Sequence, residues 1–178
     1  GSVSLEVFNP APLAVTNVTW AQTKSGIDLS FSQPTDVDFV GVKIRGVLYT
    51  GSSITVPPSL SREEILYIVS VDGLGDGGIY DLPVPNPAPP AVTNVDLIFS
   101  LEGISVSFTP PSDVDLIGVR IRNEVYTDSS IMLTPSTVRD EILTLVPVDG
   151  IGDGVSFSIG APNLVPPSPT DISHEAGI

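Results

Sequence analysis

Cysteine is absent from this chain of 178 residues, and histidine occurs once, at His174. The chain therefore forms no disulfide, carries no thiol nucleophile and offers no thiolate to a metal. Most acid–base and nucleophilic machinery is missing too, because histidine is the side chain that most often does this work near neutral pH. We therefore predict no catalytic residues and expect that the protein is not an enzyme.

Basic residues are scarce: 7 Lys and Arg stand against 21 Asp and Glu, for a formal net charge of −14. Nucleic acids and anionic membrane surfaces attract clustered cations, so neither is expected as a partner. No apolar run approaches the roughly 20 residues that a membrane-spanning helix needs, so membrane insertion is not expected either.

Apolar residues and turn formers, by contrast, are plentiful. Hydrophobic residues make up 41% of the chain, which is enough for a packed core. The 16 Gly and 18 Pro predict many turns and little helix.

The sequence repeats itself without gaps at a spacing of 77 residues, and about half of the aligned positions are identical. We predict one repeat at residues 13–89 and a second at residues 90–166. Residues 1–12 align with the last strand of an earlier repeat, behind a Gly1-Ser2 cloning scar, and residues 167–178 align with the start of a further repeat or form a tail. The chain has the pattern of a piece of a longer array; natural ends that happen to resemble the repeat are the alternative.

Within each repeat the hydrophobic period is two, which predicts strands rather than helices. Residues 27–32 and residues 104–109 alternate in this way. Turn signals about every 8–12 residues and roughly seven short strands per repeat are typical of a small β-sandwich. We therefore predict an all-β protein of two tandem β-sandwiches. Apolar positions shared by both copies are expected to face the cores, and these are Phe31/Phe108, Leu29/Val106, Val40/Ile117 and Ile68/Leu145.

Three motifs occur in both copies in the same order. They are Phe-Ser/Thr-x-Pro at residues 31–34 and 108–111, Gly-Val-basic-Ile at 41–44 and 118–121, and Val-Asp-Gly-x-Gly-Asp-Gly at 71–77 and 148–154. In these motifs each repeat resembles the fibronectin type III module, over nearly the whole chain. The resemblance implies two tandem immunoglobulin-like (fibronectin type III-like) β-sandwiches in an extended arrangement. It also implies that the Asp-x-Asp turn and the Gly-rich loop lie at the same end of each sandwich.

Acidic residues gather at two places in each repeat, the Asp-x-Asp turn and the Gly-rich loop. Carboxylate oxygens and carbonyls of Gly-rich turns are the ligands that Ca²⁺ prefers. In the second repeat, Asp113, Asp115, Asp149 and Asp153 form a candidate Ca²⁺ site at the module junction. The alternative is that no cofactor binds, that Asp-Gly pairs form turns and that acidic residues keep the surface soluble. The absence of EF-hand spacing favours this alternative.

Other candidate binding residues have structural explanations as well, and the structural explanation is favoured in each case. Arg45 and Arg122 would hold an anion, or would cover apolar surface with their long stems. Tyr49, Tyr126 and Trp20 would stack on sugar rings if exposed, or would complete the two cores. No ligand-binding residue is assigned.

The Asp-x-Asp-Phe/Leu-x-Gly-Val turn is most similar to modules of tailed-bacteriophage tail proteins and bacterial extracellular proteins. We expect a non-catalytic structural or spacer segment of a larger phage tail protein of the virion, contributing to host attachment. Its partners would be neighbouring repeats of the same parent protein. The alternative is an adhesion module of a bacterial cell-surface or secreted protein, with a cell-surface glycan or protein as its ligand.

Overall fold

The computed structural model describes residues 9–163, in which fourteen strands occur and no helix. The prediction of an all-β protein is therefore confirmed. Antiparallel pairing occurs in each of the sheets that these strands form. Within the described residues there is no helix of the length and hydrophobicity that a membrane crossing requires.

Seven strands fall in the first repeat, and they form one three-stranded sheet and one four-stranded sheet. The strands are β1 (Thr16–Thr23), β2 (Gly26–Ser32), β3 (Phe39–Ile44), β4 (Val47–Tyr49), β5 (Ser53–Val56), β6 (Glu63–Asp72) and β7 (Asp76–Pro85). The sheet orders are β1-β2-β5 and β4-β3-β6-β7.

The second repeat also has seven strands. They are β8 (Thr93–Phe99), β9 (Ile104–Thr109), β10 (Leu116–Ile121), β11 (Glu124–Tyr126), β12 (Ser130–Leu133), β13 (Asp140–Asp149) and β14 (Phe157–Pro162). Their sheets, β12-β9-β8 and β11-β10-β13-β14, repeat the order of the first copy. Because the two copies share their hydrophobic alternation, they reach the same sheet topology.

Each repeat has its own hydrophobic core, to which both of its sheets contribute. Strand β2 supplies Leu29 and β6 supplies Ile68 to the first core, and the second core contains their counterparts Val106 and Leu145. Phe31 and Phe108 are 6% and 7% exposed, as predicted. Two sheets that bury their inner faces against each other give each repeat a β-sandwich-like architecture.

The prediction that Val40 and Ile117 face the cores is wrong: they are 43% and 53% exposed. In the first repeat, the pairing of β3 with β6 shifts register between Phe39 and Gly41. Such a bulge adds a residue and turns the side chains before it to the other face. Gly41 then lies so close to β4 that a Cβ atom there would be 2.2 Å from the carbonyl oxygen of Tyr49.

By internal contacts, the described chain divides into two compact units. Unit 1 contains the first repeat to Pro89 together with the loops Ser112–Leu116 and Asp149–Asp153, and unit 2 contains the rest of the second repeat. Both acidic loops of the second repeat therefore belong to unit 1.

Candidate functional site

Two clusters of three carboxylates lie in unit 1. We call Asp36, Asp38 and Asp72 the first acidic cluster, and Asp113, Asp115 and Asp149 the second acidic cluster. In each cluster the three residues offer carboxylate oxygens that all lie within 4.8 Å of one another. The Asp-x-Asp turn and the Gly-rich loop therefore lie side by side in both copies.

The Gly-rich loops orient one carboxylate of each cluster. Asp72 Oδ1 accepts hydrogen bonds from the backbone N–H groups of Leu74 and Gly75, at 2.7 and 2.8 Å. Asp149 Oδ1 accepts the equivalent bonds from Ile151 and Gly152, both at 2.8 Å. Asp72 and Asp149 are 6% and 2% exposed, so these bonds provide some of the polar contacts that buried carboxylates need.

The Asp-x-Asp turns also match. The N–H of Asp38 donates to Asp36 Oδ1 at 3.3 Å, and the N–H of Asp115 donates to Asp113 Oδ1 at 3.2 Å. Bonds from a backbone N–H to a carboxylate two residues earlier stabilise such turns locally. This part of the geometry follows directly from the repeated sequence.

In both clusters, an asparagine amide contacts the second aspartate of the Asp-x-Asp turn. Asn9 Nδ2 donates to Asp38 Oδ2 at 2.7 Å, and Asn86 Nδ2 donates to Asp115 Oδ2 at 2.8 Å. The two pairs have the same sequence separation, 29 residues. Gln22 Nε2 adds a second amide bond to Asp115 Oδ2, at 3.2 Å. The other carboxylate oxygen of Asp38 and of Asp115, Oδ1, is buried without a hydrogen-bond partner among residues 9–163.

Only the second acidic cluster contacts an arginine in the described part of the chain. Arg62 binds the carboxylate of Asp149 with both terminal nitrogens, through Nη1 to Oδ2 and through Nη2 to Oδ1 at 3.1 Å. The Asp149 side chain is fully buried in this pair, and the Arg62 side chain is 28% exposed. A bidentate pair of this kind is among the stronger hydrogen-bonded contacts in proteins.

The carboxyl pKa values reflect these contacts. Burial raises the pKa of Asp113 to about 6, and its hydrogen bond with the Asp115 side chain acts in the same direction. Burial also acts to raise the pKa of Asp149, but the hydrogen bonds from Arg62 and from two backbone N–H groups outweigh it, so that the pKa is lowered. In the first acidic cluster, the hydrogen bond with the side chain of Asp38 raises the pKa of Asp36, and it outweighs the backbone N–H of Asp38, which acts to lower that pKa. The two clusters therefore concentrate negative charge that a cation would stabilise.

Of the four predicted calcium ligands, Asp113, Asp115 and Asp149 come together, and Asp153 lies outside their cluster. Its counterpart in the first repeat, Asp76, forms an ion pair with Lys43 at 2.5 Å. Arg62 already provides positive charge beside Asp149. The Ca²⁺ hypothesis stays a prediction, and the donor set of the second acidic cluster is shared with a guanidinium.

The basic residues Arg45 and Arg122 are engaged within their own repeats. Each makes a bidentate pair, with Glu64 and Glu141 respectively, and the shortest nitrogen–oxygen distance is 2.6 Å in both. The hydrogen bond with Arg122 holds the pKa of Glu141 below its usual range. These pairs favour the structural interpretation of the two arginines. The aromatic candidates Tyr49, Tyr126 and Trp20 pack, partly buried, against the cores.

Neither a scan against protein-family models nor a search of curated proteins found a match to this chain. The functional argument therefore rests on the contacts themselves.

Three residues of the site were missed by the sequence patterns: Arg62, Asn86 and Gln22. Asn9 and Asn86 recur at the repeat spacing, as Asp38 and Asp115 do. That double recurrence was the available signal for a contact. Arg62 also recurs, at Arg139, but nothing near it in sequence points to a carboxylate 87 residues away.

Proposed function

We propose that this chain is a non-catalytic structural segment built from fibronectin type III-like repeats, which acts as a spacer in a larger tail protein of a phage virion. Its partners in this function are neighbouring copies of the repeat. Negative charge in excess keeps such an array soluble and discourages side-by-side association.

One observation carries the proposal: the contact between asparagine and the Asp-x-Asp turn occurs twice. Asn9 lies in the segment that aligns with the end of a repeat, and it holds Asp38 as Asn86 holds Asp115. A repeat of this kind carries at its end the polar group that engages the start of the next repeat. Arrays whose units contact only their neighbours lengthen by addition of units.

The strand order supports the fold-level part of the proposal. Each repeat combines a three-stranded and a four-stranded antiparallel sheet, which is compatible with the seven-strand sandwich that the sequence motifs resemble. Glu64 lies near the start of β6, where that family usually has a tyrosine. It accepts a hydrogen bond from the N–H of Leu60 at 2.8 Å, which ties the strand to the preceding corner.

A lengthened chain tests the spacer function. We would insert a second copy of residues 90–166 after residue 166 and measure the maximum dimension by small-angle X-ray scattering. A spacer should grow by one module, about 30–40 Å for a sandwich strand with its loops. An insertion of 77 Gly and Ser residues at the same point is the control, because a flexible coil adds length without adding a folded module. A chain that does not grow, or that grows without the added strand signal in circular dichroism that the coil control also lacks, would count against the proposal.

A second candidate function, adhesion of a bacterial surface protein, is favoured by a cavity of about 400 Å³ in unit 2. Its lining includes the exposed side chains of Phe99 and Leu101. A glycan array probed with the chain tests this function. Binding that is lost in Phe99→Ala supports adhesion, and an array without signal rejects a glycan ligand.

A further inference from the structure

The end of the first repeat is covered within unit 1, whereas the described residues leave the equivalent end of the second repeat open. Asn86 is 3% exposed and donates its amide to Asp115. Its counterpart Asn163 is exposed and donates instead to the carbonyl of Ser136 in its own repeat, at 3.0 Å. Their backbones are alike: the N–H of Asn86 donates to the Arg62 carbonyl at 3.0 Å, and that of Asn163 donates to the Arg139 carbonyl at 2.8 Å.

The arginines at these two ends differ in the same way. Arg62 binds Asp149, whereas Arg139 is exposed, and its side chain has no hydrogen-bond or ion-pair partner among residues 9–163. The backbone around Arg139 already matches that around Arg62. What the second repeat lacks, among residues 9–163, is a carboxylate that binds Arg139.

The cavity of unit 2 lies at this open end. It is lined by Phe99, Ser136 and Asn163, among other residues. At the repeat spacing, Phe99 and Asn163 correspond to Gln22 and Asn86, whose amides both hold Asp115. The cavity therefore occupies the place at which the first repeat contacts an Asp-x-Asp turn.

In the described part of the chain, the first acidic cluster has the amide of this contact but not the arginine. Asn9 supplies the amide to Asp38, but Asp72 contacts no arginine among the described residues. The apolar residues beside this cluster are open as well: Val37 and Leu74 are 103% and 76% exposed. In the second acidic cluster, the counterpart of Val37 is 49% exposed and the counterpart of Leu74 is half-buried.

We propose that the open end of the second repeat, formed by Phe99, Ser136, Arg139 and Asn163, docks the Asp-x-Asp turn and Gly-rich loop of a further copy of the repeat. Arg139 pairs with that copy's counterpart of Asp149, and Asn163 with its counterpart of Asp115. By the same rule, Asp72 receives the arginine of a copy that precedes it. The inference rests on the proposed function and names its partner. Because an arginine binds the second acidic cluster, we expect the first acidic cluster to bind a guanidinium rather than a metal ion.

Thiol labelling of the lengthened chain, which carries the second copy of residues 90–166, tests the docking. The chain has no cysteine, so Ser136→Cys in the original second repeat introduces a single thiol at a half-buried position, whose counterpart in the first repeat, Ser59, is 6% exposed. Docking of the added copy should lower the rate of maleimide labelling to about one tenth, as expected if the docked state is about 90% populated. Val125→Cys, at a position that is 47% exposed and outside the cavity lining, is the control and should label equally in both chains.

An unchanged labelling rate at position 136 would overturn the docking. In the lengthened chain, Arg139→Gln should restore fast labelling, whereas protection that persists in this variant would reject the ion pair. Scattering separates the two levels of proposal: a chain that grows by one module but keeps a reactive thiol rejects docking and leaves the spacer function standing. A rise in Tm of the original chain with calcium chloride, lost in Asp72→Asn, would assign the first acidic cluster to a metal instead.

Discussion

The two acidic clusters have the same sequence and the same internal hydrogen bonds, yet they differ in charge environment. Asp72 and Asp149 each cap a Gly-rich loop through two backbone N–H groups. Only Asp149 also holds an arginine among the described residues, and that arginine is 87 residues away in the chain. Repetition of a sequence therefore copies the contacts that the segment makes with itself. The contacts that it makes with distant residues depend on what folds beside it.

The last strands provide a second contrast. In the first repeat, β7 begins at Asp76, and the N–H of Gly78 donates to the Pro12 carbonyl at 2.7 Å. A Cβ atom on Gly78 would be 2.2 Å from the backbone nitrogen of Ala14. The second repeat has Val155 at this position, and β14 begins only at Phe157. The final strand thus starts later in the repeat that has a valine in place of this glycine.

Removal of a core aromatic should affect both repeats alike and have the largest effect. Phe31→Ala and Phe108→Ala each delete a buried ring and should cost about 3–5 kcal/mol of unfolding free energy. Small sandwiches have little stability to lose, so the affected repeat should unfold or nearly so. Thermal unfolding followed by circular dichroism measures this, and an unchanged Tm for either variant would contradict the matched cores.

Neutralising the two equivalent arginines should lower the stability of the chain by different amounts. Arg62→Gln leaves the buried Asp149 without its cation and should cost about 2–3 kcal/mol. Arg139→Gln changes an exposed side chain and should stay within about 0.5 kcal/mol. Denaturant unfolding of the full chain gives both values, with Lys24→Gln as the surface control. Equal losses for the two arginine variants would show that the contrast between the clusters is wrong.

Exchanging glycine and valine near the start of the final strand should destabilise the two repeats by different amounts. Gly78→Val forces a side chain against the backbone of Leu13 and Ala14 and should cost about 2 kcal/mol. Val155→Gly removes a side chain that is 56% exposed, and should cost about 0.5–1 kcal/mol through the greater freedom of the unfolded chain. Comparison of the two Tm shifts checks this prediction. A larger fall in Tm for Val155→Gly than for Gly78→Val would contradict the steric explanation.

The smallest expected effect is a pH dependence from Asp113. Its pKa is about 6 in the folded protein against an ordinary value of 3.8, so the folded state binds more protons between these values. This group therefore makes stability fall as the pH rises from about 4 to about 6. Asp113→Asn removes the effect and should stabilise the chain at pH 7 by about 1 kcal/mol or less, since solvent screens the partly exposed group.

The measurement for this last prediction is Tm against pH for both proteins. The advantage of Asp113→Asn should shrink towards zero below about pH 4, where the carboxyl is protonated in both states. A constant advantage at every pH would mean that burial does not act on this carboxyl as its pKa indicates.

Local patterns were reliable where neighbours in sequence decide the structure. Alternation predicted strands, and the strands are there; Phe31 and Phe108 were expected in the cores and are buried. Three of the four aspartates chosen from the turns gather in one cluster. The exposure of Val40 was missed because a bulge is a property of a strand pair, which alternation along one strand does not reveal.

By itself, the sequence determined the repeat spacing, the all-β class, the turns and the acidic character of the two loops, because these depend on residues close together in the chain. The tertiary structure alone decided that Arg62 neutralises Asp149 and that Asn86 holds Asp115, since charge pairing depends on distance in space. It also decided that Arg139 and Asn163, which occupy the same places in their repeat as Arg62 and Asn86, are exposed. The copies of a repeated segment therefore share their local structure, whereas the contacts of each copy depend on the residues that fold beside it.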